Sequence, residues 1–420
     1  MTTRQDCLAL DAQDPLAALR EQFVLPPGKV YLDGNSLGVL PRATPARVAQ
    51  VVTQEWGQGL IESWNSAGWI DLPQRVGDKI ARLVGAGAGE LVVADSTSVN
   101  LFKVLSAALE IAQADAPGRR VILSERGNFP TDLYIAEALA RQRGCELVLA
   151  DTPGELSAHL RTGRVAVLML TQVDFRSGRM HDMAALTRAA HEHGALALWD
   201  LAHSAGALSV ALNAAGADFA VGCGYKYLNG GPGAPAFVWV HPRHAERFWQ
   251  PLSGWMGHAA PFEFTSTYRP AAGSARYLCG TPALLSMAAL ECGVDTVLAA
   301  EPLGGLPALR AKSLALTDLF IDLVEHHCAG HGLRVVTPRE HALRGSHVAL
   351  AHSESAYAIV QALIARGVVG DFRAPDILRF GFTPLYVGFA DVWDAVEHLR
   401  QVLEKREWRQ ARFNRKAAVT

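Results

Sequence analysis

The chain has 420 residues, half of them hydrophobic and 19% charged, with a formal net charge of -2 at pH 7. That length accommodates two or three domains, or one large domain with a smaller one attached, and a core big enough to enclose a desolvated pocket. The near-neutral balance excludes a global field that would gather nucleic acid or an anionic membrane, and the most basic stretch, EKREWRQARFNRK near the C-terminus, reads as a solvated helix end.

In chain order, residues 1–50 read as an N-terminal arm, with a helix near 14–22 followed by VYLDGNSLGVLP. The arm carries acids early and has no long apolar core, so it is not a signal peptide. From about 91 to 240, seven short apolar runs alternate with helical patterns: LVVA (91–94), RVIL (120–123), CELVLA (145–150), VAVLML (165–170), ALALWD (195–200), DFAVGC (218–223) and PAFVWV (235–240). Helices are expected at 99–112, 130–143 and 182–193. Near-continuous apolar strands separated by helices indicate an α/β fold with a mostly parallel sheet covered on both faces. After about residue 305 long amphipathic segments (305–328, 355–366, 391–405) surround weaker strands, HVALAH (347–352) and ILRFGF (377–382), which reads as a smaller α+β domain. The division expected is 1–50 as an arm on the small domain, 51–304 as the large domain and 305–420 as the small one.

Six scattered cysteines form no C-x-x-C pair, which fits a reducing cytoplasm and gives no zinc or redox site. HEH at 191–193 lacks the spacing of H-E-x-x-H, and VGAGAGE at 84–90 does not fit G-x-G-x-x-G. No metal is expected. No uncharged apolar run reaches the roughly 18 residues of a membrane helix.

Ligands of open parallel sheets bind beyond the carboxyl ends of the strands, so the residues just after each run carry the information. After LVVA, Ser96, Thr97 and Ser98 start a helix whose free N–H groups and dipole suit an anion; taken alone they are an ordinary cap. After the next strand, Phe129 can stack on a flat ligand, and Pro130, Thr131 and Asp132 open a helix. Asp200 ends an apolar run, where a carboxylate needs a positive partner, and His203 follows three residues on. Lys226 then stands in GCGYKYLNGGPG, among small residues that let a ligand come close. A desolvated lysine is a nucleophile. A phosphate cup, a ring stack, a ring-nitrogen partner and a Schiff-base amine, in that order, describe a site for pyridoxal 5'-phosphate.

The motifs YLDGNSLG, STSVNLFK, NFPTDLYIAE, WDLAHSAGA, YKYLNGGPGAPAF, GWMGH and LRFGFTPLY lie between residues 31 and 386, and the resemblance they carry runs over about residues 8 to 410. With them the sequence resembles fold-type I pyridoxal phosphate enzymes of the class V aminotransferase-like group and, within these, the kynureninase family. The resemblance implies hydrolysis of L-kynurenine to anthranilate and L-alanine, with 3-hydroxykynurenine a poorer substrate, in a cytoplasmic homodimer with shared active sites. It implies Lys226 as the amine that bonds the cofactor, Asp200 at the pyridine nitrogen with His203 close by, and Phe129 on the ring. Thr97, Ser98 and Tyr225 would hold the phosphate, Asp132 and Thr171 would lie in the cofactor shell, and Tyr225 would assist the hydration. Trp255 and Thr281 would arrive from the neighbouring subunit. Arg379 would grip the substrate carboxylate, bordered by Asn35 and Ser36, and Trp64, Gly280 and Thr281 would surround the aryl ring. The chain departs from the family at Gly224, where Ser or Thr is frequent. The competing readings are a cysteine desulfurase or class V aminotransferase, and a cofactor-binding regulator; the chain has no basic stretch for a DNA-reading domain.

Overall fold

The computed structural model describes residues 2–416. The short strand β1 (Val30–Tyr31) belongs to the N-terminal arm, and the large sheet follows with β2 (Leu91–Ala94), β3 (Val121–Glu125), β4 (Glu146–Ala150), β5 (Val165–Thr171), β6 (Leu196–Asp200), β7 (Phe219–Gly222) and β8 (Ala236–Val240). Their spatial order is β2-β8-β7-β6-β5-β3-β4, and only β8 runs antiparallel to its neighbours. This is the expected seven-stranded, mostly parallel sheet. Six of the seven strands lie within one residue of an apolar run read from the sequence, and β3 runs two residues further, because central strands buried on both faces leave no alternation to blur them.

The covering helices carry their own start and stop signals. Helix Thr97–Asp115 is capped by Ser96 Oγ, which accepts from Val99 N at 3.3 Å. Helix Pro130–Arg143 opens on a proline, whose missing N–H costs nothing in a first turn, and closes on Gly144 at φ +63°. Asp182 caps helix Met183–Glu192 through Ala185 N at 2.9 Å.

The C-terminal part holds a second sheet built of β9 (Arg334–Val335), β10 (His347–Ala351), β12 (Asp371–Arg373) and β13 (Ile377–Gly381), antiparallel in the order β12-β13-β10-β9. The strand β11 (Val368–Val369) pairs in parallel with β1. Helices Gly305–His327, Ala356–Ala365 and Phe389–Glu404 accompany this sheet.

The arm corrects one expectation. Residues 14–22 do not form an α-helix: Ala17–Gln22 is a 3₁₀ segment, and the α-helix is Arg4–Gln13. That helix buries only Cys7, so it has no apolar stripe to betray it. Its ends explain it instead. Thr3 and Asp6 form a capping box, and Asp11 accepts from Phe389 N at 2.7 Å and Ala390 N at 2.9 Å at the start of the last long helix. Asp14 pairs with Lys312 at 2.7 Å, both side chains under a tenth exposed.

Candidate active site

At the carboxyl edge of the large sheet, Thr171 and Asp200 end β5 and β6 as register partners. Asp132, in the first turn of helix Pro130–Arg143, turns toward them and is buried. Thr171 Oγ1 bonds Asn128 Oδ1 and reaches Asp132 Oδ2 at 3.4 Å. Asn128 is fixed in turn by Ser124 Oγ at 3.0 Å and by Phe129 N at 2.6 Å. Burial, then the neighbouring Asp200, pushes the Asp132 carboxyl well above the usual carboxylate range. Burial raises Asp200 too, while Lys226 pulls it back. Each buried carboxyl disfavours ionisation of the other, because two like charges at close range repel strongly without solvent. Ala202 N donates to Asp200 Oδ1 at 2.8 Å.

Lys226 lies in the turn after β7, with Nζ 3.0 Å from His203 Nε2. His203 is 4% exposed, and its Nδ1 has no partner among the described residues. Burial first, then Lys226, Arg379 and His347, hold its pKa well below the ordinary value, so the ring is neutral and Nε2 accepts from the lysine amine. His347, fully buried with neither ring nitrogen partnered among the described residues, packs on it edgewise at 5.5 Å between centroids.

Two glycines permit this packing. A Cβ on Gly38 would stand 2.5 Å from Lys226 O, and Gly38 N bonds Tyr225 O at 2.8 Å, so the DGNSLG segment lies directly on the lysine turn. A Cβ on Gly224 would stand 2.3 Å from Pro235 O. The serine or threonine frequent at this place in the family has no room here.

Beside the turn opens a cavity of about 520 Å³, lined among others by Ser96, Thr97, Tyr225, Gly280 and Thr281. The first N–H groups of helix Thr97–Asp115 are available to an anion at this end. Buried Lys103 anchors the helix by pairing with Asp95 and donating to Tyr277 O at 2.6 Å. The Tyr225 phenol is pushed up by burial and then by Cys223 and Asp200, so it stays protonated; its ring centroid is 5.7 Å from Lys226 Nζ. Phe129 is 40% exposed and meets Phe175 edgewise at 5.3 Å. Pro130 and Thr131 follow it in the first turn of the same helix.

These groups fit pyridoxal 5'-phosphate. The helix start and Tyr225 suit a phosphate, and Asp200, buried at the end of β6, offers a carboxyl to a ring nitrogen. Lys226 supplies an amine beside a neutral acceptor, and the orphaned His203 Nδ1 is a donor awaiting a polar partner.

Arg379 of β13 is 1% exposed, and four of its five N–H groups have acceptors. Its Nε and Nη2 bond both Asp371 oxygens at 2.9 and 2.5 Å, Nη2 also bonds Ser36 Oγ at 2.8 Å, and Nη1 bonds Phe175 O at 2.6 Å. Asn35 is buried against Gly381. Arg373 joins the same cluster through Asp371 Oδ2 at 2.6 Å and Ser36 Oγ at 3.2 Å, and Asp33 lies close enough to feel both arginines. The sequence reading missed Asp33, Asn128, His347, Asp371 and Arg373. The last two had a signal: acid and base flank Phe372 at i, i+2, on one face of an edge strand, and Asp371 is the register partner of Arg379.

Trp64 and Trp255 do not line this chain's cavity. They pack on each other at 6.2 Å, Trp64 also on Trp69 and Trp255 on Phe262. Gly280 and Thr281, by contrast, line the cavity of their own chain.

The family described as "Kynureninase C-terminal domain" matches residues 309–399. The chain is 58% identical to a kynureninase of Pseudomonas fluorescens and 57% identical to a kynureninase of Burkholderia pseudomallei strain K96243, in both cases over 100% of each chain. Among solved structures it resembles a cysteine desulfurase of Thermococcus onnurineus NA1, with a TM-score of 0.76 and 17% identity over 92% of this chain and 98% of that one. It also resembles the cystine C-S lyase C-DES in complex with cysteine persulfide, with a TM-score of 0.74 and 15% identity over 89% and 98%. At these identities the structural likeness shows the fold alone.

Proposed function

Because the chain belongs to the kynureninase family, we propose that it cleaves the Cβ–Cγ bond of L-kynurenine with water, giving anthranilate and L-alanine in tryptophan breakdown. The observation that carries the site assignment is Lys226, whose Nζ lies 3.0 Å from the buried imidazole of His203, close to the buried carboxyls of Asp200 and Asp132. Pyridoxal 5'-phosphate, when bound, supplies an aldehyde that condenses with amines and a ring that takes up the electron pair left at the substrate's α carbon.

The chain's own groups do the rest. Lys226 bonds the cofactor through Nζ, and removes and returns the proton at the substrate's Cα. His203 Nε2 accepts from that amine and keeps it aimed. Asp200, backed by Asp132 and Thr171, keeps a proton at the ring nitrogen. Thr97, Ser98 and Tyr225 hold the phosphate, and Phe129, with Pro130 and Thr131 behind it, covers the ring face. Tyr225, protonated through burial, would take a proton from the attacking water as it gives its own to the phosphate. Water thereby provides the hydroxyl of the new carboxyl group of anthranilate and a hydrogen for the methyl group of alanine. Arg379, with Asn35 and Ser36, belongs to the site of the substrate carboxylate.

The aryl ring is assigned to Trp64, Gly280 and Thr281, and preference for L-kynurenine over its 3-hydroxy derivative follows from the apolar Trp64. A homodimer is part of this reading. Trp56 and Leu285 border a groove of about 470 Å³ while 57% and 41% exposed, and Ile61 and Phe264 are 76% and 74% exposed. Apolar surface of that extent marks an interface, and a second copy would bring Trp64, Trp255 and Thr281 to the neighbouring cofactor. No helix among the described residues is long and apolar enough to cross a membrane, which is consistent with the cytoplasmic location proposed.

The test is to supply the purified protein with pyridoxal 5'-phosphate and L-kynurenine and follow anthranilate fluorescence. Anthranilate and alanine in equal amounts support the reading; persulfide from cysteine without anthranilate overturns it.

A further inference from the structure

We propose that Lys103 is a positioning residue for the cofactor's phosphate: its buried ammonium cancels the charge of Asp95 on the cavity wall and ties helix Thr97–Asp115 to the segment that carries Gly280 and Thr281. The inference rests on pyridoxal 5'-phosphate binding with its phosphate at the start of that helix. Asp95 stands between β2 and the cap residue Ser96, and takes φ +43°. Aspartate tolerates this left-handed backbone better than most residues, so its presence has a conformational reason. Its charge is a liability. Asp95 lines the same cavity as Ser96 and Thr97, and its side chain is 35% exposed. A phosphate carries nearly two negative charges at neutral pH, and a bare carboxylate on that wall would repel it.

Lys103 removes the conflict. Its side chain is fully buried, on a helix whose neighbouring Leu101, Val104 and Leu105 are buried as well. Nζ donates to Asp95 Oδ2 and to Tyr277 O, the latter at 2.6 Å. Tyr277 is itself buried, and Leu278, Cys279, Gly280 and Thr281, which follow it, line the cavity. Lys103 does not line the cavity, so it acts through these two partners. A methionine would fill the same place without taking a charge out of water. What the ammonium adds is the charge that offsets Asp95.

Apoprotein prepared from the holoenzyme is titrated with pyridoxal 5'-phosphate and with pyridoxal, which lacks the phosphate, and Kd is read from the visible absorption. Wild type is compared with Lys103→Met, Lys103→Gln and the double variant Lys103→Met with Asp95→Asn. Lys103→Met is expected to raise Kd for the phosphorylated cofactor about 10- to 100-fold and to leave Kd for pyridoxal within about threefold of the wild type. The double variant has no carboxylate to repel the phosphate, and most of the loss is expected to be recovered. Lys103→Gln keeps a donor for Tyr277 O, guards against loss of folding, and is expected to weaken the phosphorylated form alone. An unchanged Kd, a Kd that rises equally for both compounds, or a double variant as weak as Lys103→Met overturns the proposal and leaves Lys103 a structural anchor. If the wild type takes up neither compound, the cofactor reading fails separately, and inorganic phosphate decides. A melting temperature raised by phosphate over chloride at equal ionic strength in the wild type but not in Lys103→Gln supports the role of Lys103. The same response in both proteins refutes it.

Discussion

Lys226 Nζ lies 3.0 Å from His203 Nε2, and the ring of His203 meets that of His347 edgewise at 5.5 Å, so a second buried imidazole stands against the amine's partner. Burial leads the causes that keep both rings unprotonated, and the cations Lys226, Arg379 and Arg373 add to it.

The buried imidazoles have a measurable consequence for stability. In the unfolded chain a histidine takes a proton near pH 6.5, but folded His347 refuses it. Between those two values the unfolded state holds the extra proton, so stability is lost as pH falls below about 6.5, by about 1.4 kcal/mol per pH unit for each such group. His347→Phe removes the liability and leaves no partner unsatisfied, since neither ring nitrogen is bonded. The melting temperature of the variant is expected to gain on that of the wild type between pH 7 and pH 5. A gap that stays constant with pH contradicts the assignment.

Asp33 governs the pH dependence of substrate binding. Its carboxyl is pushed up to about 7, by burial first and then by Asp371, against the pull of Ser36, Arg379 and Arg373. Below that pH it is neutral and leaves the arginines to the substrate. Above it, a second carboxylate competes with the substrate's own. KM for L-kynurenine is therefore expected to rise with pH through about 7 in the wild type, and to lose that rise in Asp33→Asn. An identical profile in both proteins removes Asp33 from the account.

The exposed apolar groove is the face proposed to meet a second copy. Trp56→Asp and Leu285→Asp each place a charge where a second copy is proposed to pack. Light scattering is expected to give twice 45.1 kDa for the wild type and 45.1 kDa for the variants, with activity lost in the monomers. A monomeric, active wild type contradicts the shared site.

Selectivity at the aryl ring is assigned to two positions. Trp64→His with Thr281→Asn gives the 3-hydroxyl group polar partners that Trp64 denies it. The ratio of kcat/KM for 3-hydroxykynurenine over L-kynurenine is expected to rise by about tenfold or more. An unchanged ratio places the ring elsewhere.

Much of this was legible in the sequence for a physical reason. A sheet buried on both faces forces continuous apolar runs, and the groups that follow them, Thr97, Asp132, Asp200 and Lys226, are polar exceptions at predictable places. The carboxylate end was harder to read. Arg379 stands out in LRFGF, but its saturation by Asp371 depends on the pairing of β12 with β13, which no local pattern encodes. His347 begins a strand that reads as plain core, and only the folded structure brings it onto His203. Helix Arg4–Gln13 was missed because it is held by its ends and by ion pairs such as Arg4 with Asp394, not by an apolar stripe.

The assignment of Lys226 is tested most directly by reducing the cofactor-loaded protein with borohydride and mapping the product by mass spectrometry. The account expects the visible absorption band to bleach and the pyridoxyl group to appear on the peptide containing Lys226, with neither effect in Lys226→Ala. A label on another lysine, or a wild-type protein with no band to bleach, contradicts it.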